Sequence, residues 1–250
     1  MYAQEMKLVV TLRARFSGES MWIYREVRAL QHRATSGVAL GLDARALQDY
    51  DTALRLFRPL VEQDPKNRSW QVELAGLEQD RLRIEARHVA DSSILPALAD
   101  LHVKFQRLLA FDPKNTEWAQ REAVAHLRMA TAMPLNSTTQ QEQVDAALTK
   151  MKALHINNPS DLSARLVLID GLLRRATIQH ARNEASFILN CEQARAIIGD
   201  KFRKTNNYTA LSLWVRINVC LRQPEKSKVE IARLSEIGYR DTQYMQMMSK

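Results

Sequence analysis

"DPKNRSW" (residues 64–70) and "DPKNTEW" (residues 112–118) are identical at five of seven positions and lie 48 residues apart. A degenerate third copy follows 46 residues later, where Pro159 is flanked by Asn158 and Asp161. Proline disfavours helical geometry in the residue before it, here Asp64, Asp112 or Asn158. Two residues after each proline stands Asn67, Asn115 or Asp161, side chains that accept the free amides of a helix's first turn. Each copy therefore predicts the end of one helix and the start of another.

The residues before each proline agree with this reading. Phe57, Phe105 and Met151 stand eight residues upstream, Leu60, Leu108 and Leu154 five, and Ala53, Leu101 and Ala147 twelve. Those offsets fall on one face of a helix. Five residues downstream come Trp70, Trp118 and Ala164, placed to fill the joint between neighbouring units. The spacing predicts antiparallel helix hairpins over roughly 20–63, 68–110, 116–155, 161–198 and 205–237, with a further helix in 2–14. One hairpin cannot bury both of its apolar faces, so such units stack into arrays. We therefore expect an all-α stack with residues 1–250 as a single helical-repeat domain. Composition agrees: the chain has only 7 Gly and 7 Pro and is dominated by good helix formers.

The stretch "GVALGLDARALQDYDTALRLFRPLVEQDPKN" (residues 37–67) resembles a tetratricopeptide repeat. Leu40-Gly41, Tyr50, Ala53, Phe57 and Pro65 stand where that family has its Leu-Gly, Tyr, Ala, Phe and Pro. The usual period is 34 residues, and the longer one here implies longer helices or a longer loop within each hairpin. The resemblance covers about residues 20–180 and fades where the proline–Asx marker is lost. It implies a superhelical solenoid with a concave groove. The phrase DPKNxxW at this period, and the ending "ARLSEIGYRDTQY" (residues 232–244), resemble C-terminal regions of bacterial signalling proteins such as serine/threonine kinases and winged-helix regulators. This implies a regulatory or sensory part of a larger protein. The chain also opens inside a helical pattern, which leads to the expectation of further protein upstream.

The sequence has no catalytic signature. It has no phosphate-binding glycine loop, no kinase motif and no nucleophile elbow. No two of the six histidines (His32, His88, His102, His126, His155, His180) are three or four residues apart, and none neighbours a cysteine. A metal site would need convergence of distant residues, so no metal, no cofactor and no enzymatic activity are expected. Cys191 and Cys220 read as buried small hydrophobes, with a single bridge left open. His155 reads as a helix C-terminal residue, and "NST" at 136–138 as a helix-capping loop.

Two partner classes remain. The first is a protein or peptide bound in the concave groove. The resemblance places the groove on Arg68, Gln71, Glu78, Gln79, His126 and Arg165. This set is mixed in charge and does not reproduce the all-basic clamp with which some family members hold C-terminal carboxylates. The second is nucleic acid, because 10 Lys/Arg stand against 4 Asp/Glu in residues 201–250 of a chain with net charge +8. Lys201, Arg203, Lys204, Lys226 and Lys228 would meet the phosphates. No apolar run is long enough to span a membrane. Cytoplasmic placement is favoured, and periplasmic if a membrane segment precedes the chain.

Overall fold

The computed structural model describes residues 2–16, 18–88, 92–134, 137–199 and 206–248. Helices dominate, and the described residues contain no strand. The helices are α1 (Tyr2–Arg15), α2 (Ser20–Ala39), α3 (Asp43–Gln63), α4 (Arg68–His88), α5 (Leu95–Phe111) and α6 (Thr116–Ala132). They continue with α7 (Thr138–Asn157), α8 (Leu162–Ala181), α9 (Phe187–Ile198), α10 (Tyr208–Cys220), α11 (Lys228–Glu236) and α12 (Thr242–Met248). The expected all-α fold is observed, and α12 is an element the sequence reading missed.

The expected punctuation has a visible mechanism. Asn67 Oδ1 accepts from Trp70 N at 3.1 Å, Asn115 Oδ1 from Trp118 N at 3.1 Å, and Asp161 Oδ1 from Ala164 N at 3.0 Å. Each bond satisfies one of the orphan amides of a helix's first turn. A fourth cap continues the series. Asn207 Oδ1 accepts from Ala210 N at 3.0 Å, again 46 residues after the previous cap. No proline precedes it, so the repeat runs one joint further than its proline marker. Ser137 caps α7 by accepting from Gln140 N at 3.0 Å, while Asn136 lies outside the described residues. His155 sits in the last turn of α7, where the helix dipole favours positive charge.

The chain divides into two compact units, Met1–Val89 and Ala90–Lys250. The sequence reading treated 1–250 as a single domain, and its 68–110 hairpin straddles this division. In the first unit α1 packs on α2, α2 on α3 and α3 on α4. Gly41 makes the turn from α2 to α3 at φ +73°, a conformation that suits glycine. Tyr50, Ala53, Phe57 and Leu77 are buried in its core, with Trp70 edge-on to Phe57. In the second unit each helix from α5 to α10 packs on the next, and α10 also touches α12. The first helices meet directly as well: α6 touches α8, and α8 touches α10. Phe105 and Met151 occupy the expected buried positions, as do Leu101, Leu108 and Ala147. Leu154 is half-buried against the same core. Gly171 lets α8 approach α7, since a Cβ there would lie 3.0 Å from Leu148 Cδ2.

The bridge left open by the sequence is formed. Cys191 on α9 and Cys220 on α10 are disulfide-bonded with Cα atoms 6.1 Å apart, and α9 packs on α10.

Candidate functional site

Four of the six expected groove residues lie in the first unit, all on α4. Arg68 is exposed, and its Nη1 donates to Gln71 Oε1 at 2.7 Å. Gln71 Nε2 in turn donates to the Pro65 carbonyl at 2.6 Å, across the joint. Glu78 pairs with Arg58 at 3.4 Å. Gln79 is only 4% exposed and offers little surface to a partner. The other two lie in the second unit. Arg165, on α8, is half-buried and donates to the Pro159 carbonyl. His126, on α6, belongs to a cluster described below.

Two constellations in the second unit were not legible as sites in the sequence. The first lines the seam where α6, α8 and α10 adjoin. Across it Gln120 Nε2 donates to Ser163 Oγ at 2.5 Å, and Arg174 Nη1 donates to Thr131 Oγ1. Asp170 accepts from Arg174 Nε at 2.8 Å and from Arg216 Nη1 at 2.9 Å, and Arg128 adds a third positive charge from α6. Three guanidiniums thus surround one carboxylate. Burial pushes the Asp170 carboxyl up, but the charges of Arg174, Arg216 and Arg128, with the Arg174 hydrogen bond, hold it well below the usual carboxylate range. The Asp170, Arg174 and Arg216 side chains are 20%, 11% and 17% exposed. Arg174 Nη2 has no hydrogen-bond partner among the described residues. The sequence did hold a signal for this pairing. Asp170 and Arg216 are 46 residues apart, the repeat period, so successive first helices present them at the same register.

The second constellation joins three helices. His102 comes from α5, Glu122 and His126 from α6, and Gln143 and Lys150 from α7. The i,i+4 spacing puts Glu122 and His126 on one face of α6, and the α5–α6 packing brings His102 to it. Glu122 Oε1 lies 3.5 Å from His102 Nδ1 and 3.5 Å from His126 Nε2. Its other oxygen accepts from the Lys150 ammonium. His126 Nδ1 donates to Gln143 Oε1 at 2.6 Å, which turns Nε2 toward the carboxylate. The two imidazole rings are tilted, with centroids 4.3 Å apart. The Glu122 side chain is 3% exposed, and His102 and His126 are 16% and 13% exposed.

Burial alone would raise the Glu122 carboxyl. Hydrogen bonds from His126 and Lys150, with their charges, bring it down to about 2. Burial lowers His126, but its bonds to Glu122 and Gln143 and the Glu122 charge leave it raised. His102 is lowered, by burial and by the neighbouring His126. His102 and His126, expected to stand apart, thus converge on one carboxylate. His–His and His–Cys spacings do not reveal the Glu122–His126 pair or its partner on the preceding helix.

The basic C-terminal set is only partly described. Lys201, Arg203 and Lys204 lie outside the described residues. Lys226 and Lys228 are exposed, and Lys226 Nζ donates to Gln223 Oε1 at 2.8 Å. No described helix is long and apolar enough to cross a membrane.

No family model and no curated protein matches the chain. Among solved structures, it is similar to a tetratricopeptide repeat protein from Parabacteroides merdae. The identity is 12%, 98% of each chain is covered, and the TM-score is 0.39. At that level of likeness the fold rests on the helices, caps and packing themselves.

Proposed function

We propose that this chain is a non-catalytic protein-interaction module, and that the α6–α8–α10 face of its second unit takes an acidic peptide segment. The observation that supports this most is the set of Arg128, Arg174 and Arg216 around the single carboxylate of Asp170. Guanidinium groups present planar pairs of donors that suit carboxylates. Rigid helix stacking would hold these groups in place without the partner, which lowers the ordering cost of binding. His126 and Arg165, on α6 and α8, would flank the peptide. Arg68, Gln71 and Glu78 would form a second contact surface on the first unit. In a larger signalling protein such a module would serve regulation by recruiting or sensing a partner.

The test is fluorescence anisotropy with labelled peptides in three sets: rich in Asp and Glu, of the same composition with amides in place of acids, and rich in Lys. We expect saturable binding of the acidic set and at least tenfold weaker binding of the other two. Arg174→Gln with Arg216→Gln should weaken acidic-peptide binding by at least tenfold. Equal affinity for all three sets, or binding indifferent to both substitutions, would contradict the proposal.

A further inference from the structure

The His102–Glu122–His126 cluster shares only His126 with the peptide-binding reading. Its geometry asks a separate question. Three side chains from two helices direct one nitrogen, one oxygen and one nitrogen at a common point. One ring nitrogen from each of His102 and His126 and one Glu122 oxygen all lie within 4.8 Å of one another. Two of those separations, each from Glu122 Oε1 to an imidazole nitrogen, are 3.5 Å. Two ligands held about 2.0–2.1 Å from a tetrahedral zinc ion are about 3.3 Å apart. Two edges of the triangle are therefore already near a coordination geometry, and the third, within 4.8 Å, needs to close by at most about 1.5 Å.

The hydrogen bonding also favours an ion. His102 Nδ1 is buried and has no hydrogen-bond partner among the described residues. His126 Nδ1 is committed to Gln143 Oε1. Such an outer contact leaves Nε2 as the coordinating nitrogen and holds the ring in place, as a metal-ligating histidine requires. With that nitrogen's lone pair facing a carboxylate oxygen, the arrangement is stable only if a cation lies between them. That cation is either a proton on the imidazole or a metal ion. Lys150 sits on the far oxygen of Glu122 and leaves Oε1 to the two rings.

We propose that His102 Nδ1, Glu122 Oε1 and His126 Nε2 bind one divalent first-row transition ion, with Zn²⁺ the best chemical match and a further coordination position left to water. Two imidazoles and one carboxylate suit zinc and its neighbours and disfavour magnesium and calcium, which take oxygen ligands. The ion would tie α5 to α6 at the start of the second unit. It would also hold His126 away from the partner face, so metal occupancy and peptide contact at His126 would be alternatives.

The test uses the full chain, stripped with a chelator and kept free of reductant so that the Cys191–Cys220 bridge stays closed. Zn²⁺ alone is titrated by calorimetry, and Co²⁺ alone is followed by visible absorption. We expect one equivalent of Zn²⁺ and an intense Co²⁺ band of the kind given by four- or five-coordinate sites. His102→Ala should weaken binding at least tenfold. That variant removes a side chain with no hydrogen-bond partner at Nδ1, so its fold is expected to survive and its thermal melt to show it. Glu122→Gln should also lose the Co²⁺ band. His32→Ala, an exposed histidine of the first unit, should bind as the parent does. No saturable binding by the parent, or parent-like binding by both His102→Ala and Glu122→Gln, would overturn the proposal and leave the cluster as a protonated ion-pair network.

Discussion

Replacing Asp170 by asparagine should destabilise the second unit by a margin set by its three arginines. The carboxylate accepts from Arg174 at 2.8 Å and Arg216 at 2.9 Å and faces the charge of Arg128. Removing one partner of a fully buried ion pair costs about 3–5 kcal/mol, because it strands the opposite charge. Asp170 is 20% exposed and its partners less, so water relieves part of the cost and about 2–3 kcal/mol is expected. Asparagine keeps the shape and one acceptor, so the loss reports charge and not a cavity. The pH dependence follows from the depressed carboxyl. A group of this kind stabilises the fold fully above its unfolded pKa, near the ordinary aspartate value of about 3.9. That contribution is lost as pH falls from there toward the folded value. Urea denaturation of the parent and Asp170→Asn should therefore show a constant gap from pH 7 to pH 5 and a shrinking gap below about pH 4. A gap under about 0.5 kcal/mol at pH 7, the scale of an exposed pair, would refute this reasoning.

Three further outcomes are expected. Phe105 is fully buried, so Phe105→Ala should cost about 3–5 kcal/mol by urea denaturation, and a loss under about 1 kcal/mol would show the repeat register to be wrong. Asn207→Ala and Asn115→Ala remove equivalent caps, and each should lower stability by about 1 kcal/mol; a silent Asn207→Ala would end the claim that the repeat runs past its last proline. The Cys191–Cys220 bridge spans 29 residues, so reduction should cost about 3–4 kcal/mol in a loop-entropy account, read from urea midpoints with and without dithiothreitol.

What was legible in the sequence was what the repeat wrote locally. The Asx caps and the stripe Ala53–Phe57–Leu60 each lie within one or two turns of helix, so spacing alone exposes them. Asn207 escaped because the reading was anchored on proline, whereas the physical requirement is only the side-chain acceptor. The His102–Glu122–His126 cluster escaped for a different reason. Its members come from two helices whose packing brings together residues 20 positions apart, and its carboxylate was passed over when only histidines and cysteines were counted. The arginine seam depends on α6 meeting α8 and α8 meeting α10, a contact between successive repeats that no single segment encodes. The disulfide is similar: both cysteines read correctly as helical, but only the packing of α9 on α10 brings them within bridging distance.

The partner face can be tested most directly by hydrogen–deuterium exchange of the full chain, read by mass spectrometry with and without the tightest acidic peptide. The account predicts added protection in α6, α8 and α10 around Arg128, Arg174 and Arg216, and its loss in the Arg174→Gln, Arg216→Gln double variant. Protection confined to the segment bearing Lys226 and Lys228, or exchange unchanged by a peptide that binds, would contradict it.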